Sequence, residues 1–225
     1  MTTDDRPSTG DLFPPRADGS RRWVADGLPD IIRGRRSVRR YQDRPVAREQ
    51  ILAVLEAARW APSPHGRQPW RFAVVTRPEV KQALAGAMGE EWRRQLALDG
   101  QDEAAIERRA GISRQRILSA PALIVPCLYL ADLDAYPDAA RQAAEATMAV
   151  QSLGCAVQNM LLAAYELGLD TGWMCAPLFC PETVVAALGL DPALTPQALI
   201  TLGYAAADPV RRERRPLDEL VVLFE

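Results

Sequence analysis

The chain has 225 residues, 48% hydrophobic and 25% charged, enough apolar material for one compact domain with a sizeable core. Its formal net charge of −2 argues against general nucleic-acid binding, which draws on an excess of cations. Four cysteines without a CxxC spacing, a single histidine and no evident secretory signal argue against a zinc site or a disulfide framework, so a metal-free cytoplasmic protein with free thiols is expected.

Residues 1–22, rich in Pro, Gly, Asp, Ser and Arg, predict a disordered tail ahead of one domain spanning 23–225. Leu28 to Arg35 is a short helix candidate that ends in the basic run "RGRRSVRR". Ala47 to Trp60 places Ile51, Leu52, Val54, Leu55 and Ala58 on one helical face. The loop "SPHGRQPW" follows, then a strand at "RFAVV", and Pro78 opens another helix at a position proline tolerates. Residues 90–118 read as charged helix broken near Asp99-Gly100. "ALIVPCLYL" (122–130) reads as a strand covered on both faces, with Pro126 placing it near an edge or a bulge.

Residues 139–168 form a long helix closed by Gly168. Its uncharged stretch, Ala146 to Tyr165, contains Gln151, Ser152, Gln158 and Asn159 and is a buried helix rather than a membrane span. A strand at Thr171 to Cys175, a helix after Pro181, a strand at "ALITLGY" (198–204) and the apolar tail "PLDELVVLF" complete the chain. Strands separated by helices give the α/β class and a three-layer αβα sandwich. Neither GxGxxG nor GxxxxGK[ST] is present, so any phosphate must be held by side chains.

Of 27 basic residues only Lys81 is a lysine; the rest are arginines, permanently charged forks suited to phosphate and carboxylate. In "RRSVR", Arg35, Ser37 and Arg39 point the same way if the chain is extended, and two guanidinium groups flanking a hydroxyl suit a phosphate monoester. A solvated basic helix end is the alternative. A second cluster, "RRERRP" (211–216), reads on its own as an exposed loop.

Taken together, "RRSVRRY", "APSPHGRQPWRF", "GLDTGWMCAPLF" and "LGY" followed by "RRERRPLDELV" resemble the FMN-dependent nitroreductase family over residues 28–225. The middle segments "EEWRRQLALDG", "AIERR", "YPDAAR" and "AEATM" are most similar to the reductase domain at the C-terminus of the bifunctional coenzyme F420 biosynthesis protein; the ligase domain that precedes it there has no room in this chain. The resemblance implies a mixed central sheet and a domain-exchanged homodimer with two FMN, each between subunits. Arg35 and Ser37, with Arg36 in the same run, would hold the phosphate and ribityl chain from one side. Arg212 and Arg214 would hold the phosphate from the other, in a register the repeated arginines leave open by one.

Arg39 would lie near flavin N1 and C2=O, where a fixed cation stabilises the reduced form. Gln68 would face the pyrimidine edge, and Ala176, Pro177 and Leu178 would lie beside N5, with the Leu178 N–H as donor. His65 is a cofactor contact and the candidate general acid, although a lone histidine also serves as a structural hydrogen-bonder. The loop is a hybrid: His65 matches the F420-type domain, Gln68 the general nitroreductases, and Gly66 replaces an expected Asn. Trp70 is expected to pack beneath the sheet, Cys175 and Cys180 to be packing residues, and the helix around Met148, Cys155, Val157 and Gln158 to be dimer interface.

The implied reaction is FMN-dependent reduction of the enolpyruvyl double bond of dehydro-F420-0. Tyr136 and Arg141 are the preferred substrate contacts, with Arg93, Arg108, Arg109 and Trp92 as further candidates; solvated helix faces are the alternative for these residues. A broad NAD(P)H-dependent nitroreductase is the second reading, and a non-enzymatic F420 or nucleic-acid binder the third. No membrane or nucleic-acid partner is expected.

Overall fold

The computed structural model describes residues 27–209 and 213–225. The expected tail at 1–22 and Arg212 lie outside the described residues.

The helices are α1 (Leu28–Gly34), α2 (Arg48–Arg59), α3 (Pro78–Leu98), α4 (Glu103–Ser119), α5 (Ala139–Glu166) and α6 (Pro181–Leu188). The strands are β1 (Trp70–Val75), β2 (Ala122–Tyr129), β3 (Asp170–Met174), β4 (Leu194–Pro196) and β5 (Leu199–Gly203). Local signals set many of the boundaries. Pro78 opens α3, and Asp102 and Asp138 cap α4 and α5 by accepting the N–H groups of Ala105 (2.8 Å) and Arg141 (2.9 Å). Gly168 and Gly189 follow α5 and α6 with φ of 77° and 61°, the left-handed conformation that ends helices.

The sheet runs β1-β2-β5-β3, with β4 also paired to β2. All pairings between named strands are antiparallel; the parallel component is the isolated bridge between Ser37 and Thr171. The alternation in β2 shows why its sequence is apolar throughout. Ala122, Ile124 and Leu128 enter the core with α2 and α5, while Leu123, Val125 and Cys127 enter the core with α3, α4 and α6. Trp70 is buried in the first of these cores, as expected.

Pro126 does not mark an edge, because β2 is a central strand. Its flank toward β5 changes partner, pairing with β5 at Ala122–Ile124 and with β4 at Cys127–Tyr129. Pro126 sits in that gap, where its missing N–H leaves no ladder bond broken and its carbonyl accepts from Gln197 at 2.8 Å.

Candidate functional site

Residues 35–41 leave α1 and run along the β3 edge. Val38 N–H donates to Thr171 O (2.8 Å), and the buried Tyr41 hydroxyl bonds Thr201 Oγ1 (2.6 Å) and donates to Val38 O (3.0 Å). Burial pushes the Tyr41 phenol well above its ordinary range, so it stays neutral. Gly172 is required here: a Cβ would strike Val38 O and come within 2.7 Å of Thr201 Oγ1. This anchoring fixes the backbone from which Ser37 and Arg39 project.

The structure brings the two basic clusters together. Arg35 is half-buried, and its guanidinium is destabilised by that burial, then by the charge of Arg214 and then by Arg36. The charge of Arg214 thus acts on Arg35. Thr171, bridged to Ser37 two residues along, has a buried Oγ1 that is unpaired among the described residues. A dianionic phosphate would offset the repulsion between the two cations. Arg36 is differently employed: its Nη1 donates to the carbonyls of Arg33 and Arg35, capping the end of α1.

The loop before β1 is held by its own backbone. Ser63 Oγ accepts from Gln68 N–H (3.0 Å), and Ser63 O and Pro64 O accept from Gly66 N–H (3.1 Å) and Arg67 N–H (3.0 Å). His65 and Gln68 have φ of 53° and 51°, a region that costs a non-glycine residue energy and marks functional loops. Asp134 holds Arg67 (2.5 Å) and lies 3.8 Å from His65 Nε2. Tyr136 and Arg141 stack at 5.3 Å in the segment that follows, with Arg141 bonded to Asp138.

Within one chain these two halves are far apart. Trp70 is paired with Leu128 in β2, whereas Thr171 reaches Ala122 through Leu202. They therefore lie three strand spacings across the sheet, roughly 14 Å, and six residues along it, roughly 20 Å. The strand ends that carry the His65–Gln68 loop and the Arg35 segment thus lie at opposite corners of the sheet.

A third feature is a cavity of about 810 Å³ on the α3–α4 side of the sheet. Met88, Glu91, Trp92 and Gln95 line it from α3; Arg109, Ile112, Ser113 and Arg116 line it from α4. Both sets follow the i, i+3, i+4, i+7 pattern of a single helical face. The floor is Met174, Ala176, Phe179 and Cys180. Of the sequence-derived substrate candidates, Trp92 and Arg109 enter this cavity, while Tyr136 and Arg141 do not line it and Arg93 is paired with Glu107 at 2.6 Å.

Ala176 to Phe179 form a short 3-10 turn. The Leu178 N–H is not free, because it donates to Cys175 O at 3.1 Å. The N–H that such a turn leaves open is at its first residue, Ala176. Gln95 steadies the turn: its Nε2 donates to Phe179 O (2.9 Å) and to Glu91 Oε1 (2.7 Å). Cys180 is buried, and its thiol is pushed up to about 11; Cys175, by contrast, is exposed and does not pack as expected.

Arg116, Gln95 and Thr171 were missed by the sequence reading. The signal for Arg116 is the stripe 109-112-113-116, whose polar members point inward. Among the described residues no helix is long and apolar enough to cross a membrane, and no group of three or more His, Cys, Asp or Glu could hold a metal.

The family model described as "Nitroreductase family" matches residues 32–204. A protein named NADH dehydrogenase from Thermus thermophilus is 30% identical over 84% of this chain and 91% of its own. A protein named as an NAD(P)H nitroreductase from Bacillus subtilis is 28% identical over 84% and 90%. A nitroreductase-type protein from Desulfovibrio desulfuricans, solved in complex with FMN, superposes with a TM-score of 0.66 at 30% identity, covering 88% of this chain and 96% of the other.

Proposed function

Because this chain belongs to the nitroreductase family, we propose that it is an oxidoreductase that binds FMN between two copies of itself and passes a hydride from NAD(P)H to a flat organic acceptor. The observation that carries this reading is the half-buried Arg35 with the charge of Arg214 acting on it, two cations from distant parts of the chain that a dianion would offset, in a chain without a glycine-rich phosphate loop. Bound FMN supplies the hydride chemistry.

The chain's own groups do the rest. Arg35, Arg214 and Ser37 hold the phosphate end. Arg39 presents a fixed positive charge, and Ala176 offers an N–H from a turn that Gln95 steadies. His65 and Gln68 come from the second copy, since geometry separates them from Arg35 in the first. His65, whose Nε2 lies 3.8 Å from Asp134, is the candidate proton donor from that copy. The dimer is further supported by the tail, where Val222, Leu223 and Phe224 are 98%, 70% and 94% exposed and form an apolar segment left open among the described residues.

Purified protein should carry FMN by absorbance and mass, and oxidise NAD(P)H when a nitroaromatic is added. A colourless protein that neither takes up FMN nor turns over would overturn the reading.

The narrower acceptor, dehydro-F420-0, is supported by Trp92 and Arg109, which come from the segments most similar to the F420-type reductase and line one cavity. It predicts a gain of two hydrogens in that substrate on anaerobic incubation with NAD(P)H and the loaded protein. Brisk nitroaromatic reduction with no such gain would select the broad nitroreductase instead.

A further inference from the structure

We propose that the α3–α4 cavity selects acceptors that combine a flat aromatic body with an anionic group, and that Arg116 is the residue that reads the anion. This rests on the reading of the molecule as a reductase.

The apolar part of the lining is suited to a ring: Trp92 on one wall, Ile112 on the other, and Met174 with Phe179 below. The charge is the informative part. Arg116 lies on the inward stripe of α4, half-buried, near the end of the helix that runs into β2. None of the ion pairs between described residues involves Arg116, Arg109 or Arg39. Instead, burial and then the like charge of Arg39 disfavour the Arg116 cation. A guanidinium held partly out of water against another cation, with no carboxylate, is unfavourable unless an anion arrives.

The carboxylates of the lining do not serve. Glu91 is bonded to Arg94 (2.6 Å) and Gln95 (2.7 Å), and Asp99 sits at the opposite end of the helical hairpin, at the turn joining α3 to α4. Arg109 lies two helical turns from Arg116, about 10.5 Å along the axis, so an elongated ligand could meet a cation at each end.

The test compares 4-nitrobenzoate with neutral nitrobenzene, by calorimetric binding to the purified protein and by KM in the NADH-driven reaction. The wild type should bind the carboxylate at least tenfold more tightly, with the preference shrinking as salt is raised. Arg116→Gln should reduce the ratio of the two affinities at least tenfold, Arg116→Lys should recover part of it, and Arg114→Gln on the outer face of α4 should keep it. No carboxylate preference in the wild type, or the same ratio in Arg116→Gln and wild type, would overturn the inference. So would a loss confined to the KM of NADH, which would assign the cation to the donor. Bound FMN and nitrobenzene turnover are measured on the same samples, so a failure of the reductase reading is seen separately from a failure of charge selection, and calorimetry reads the cavity in either case.

Discussion

Among single residues, Arg35 and Arg214 are the ones on which the proposed FMN site rests most directly. Removing a charged hydrogen bond costs about 1.5–3 kcal/mol, so Arg35→Ala and Arg214→Ala should each weaken FMN binding by roughly tenfold or more in a fluorescence titration. Arg36→Ala should instead lower thermal stability, because that side chain caps α1. Equal FMN affinity in wild type and both single variants would remove these arginines from the site. Glu91 offers a pH test. Hydrogen bonds from Arg94 and then Gln95 pull its carboxyl down to about 2 from an ordinary 4.5. A carboxylate with a lowered folded pKa contributes stability above about 4.5, and that contribution is lost as pH falls toward 2. The melting temperature of wild type should therefore approach that of Glu91→Gln over that interval, and a constant gap would refute the linkage. The pairing of the two basic runs came from the family resemblance, since each run alone reads as a solvated helix end or an exposed loop. The occupation of Arg36 and of the Leu178 N–H was not legible in the sequence, since both depend on where neighbouring carbonyls fall in space.

Among the elements, the segment 35–41 and β3 form a unit whose fit depends on an absent side chain. Gly172→Ala drives a Cβ into Val38 O, and overpacking of this kind typically costs about 1–3 kcal/mol. The variant should unfold at lower denaturant and lose FMN together, whereas an unperturbed variant would show that residues 35–41 are not held by this contact. The boundaries of α2, α3 and α5 were readable from apolar spacing, Pro78 and Gly168, and the break between α3 and α4 from Asp99-Gly100, which are local signals. The short strand β4 and the central place of β2 were not, because pairing partners are chosen by distant chain. On α5, Val157 proves to be 1% exposed and packed in its own core, so a charge there would unfold the subunit rather than report on a partner. Cys155, on the outer face, is the better probe. In a dimer assembled through α5 it should resist thiol reagents while exposed Cys175 reacts, and buried Cys127 and Cys180, with thiols pushed up to about 11, stay slow. Cys155 reacting as fast as Cys175 would place the interface elsewhere.

For the molecule as a whole, the two groups that the proposed reading assigns to FMN lie at opposite corners of the sheet, and the apolar tail is exposed among the described residues. Phe224→Asp with Leu223→Asp alters only exposed side chains, so it should leave each subunit folded while shifting the sedimentation profile toward monomer and releasing FMN. The claim that joins these observations is that one FMN contacts Arg35 and Arg214 of one copy and the His65–Gln68 loop of the other. Mixed dimers test it most directly. An Arg35→Ala chain is paired with a chain carrying Gln68→Ala, and each homodimer is prepared alongside. If the site is shared, both damaged groups fall in one site of the mixed dimer and the second site is intact. That dimer should then bind one FMN with wild-type affinity, while neither homodimer does. Weakened binding at both sites of the mixed dimer, with no wild-type site recovered, would show that a single chain builds the site and would contradict the account.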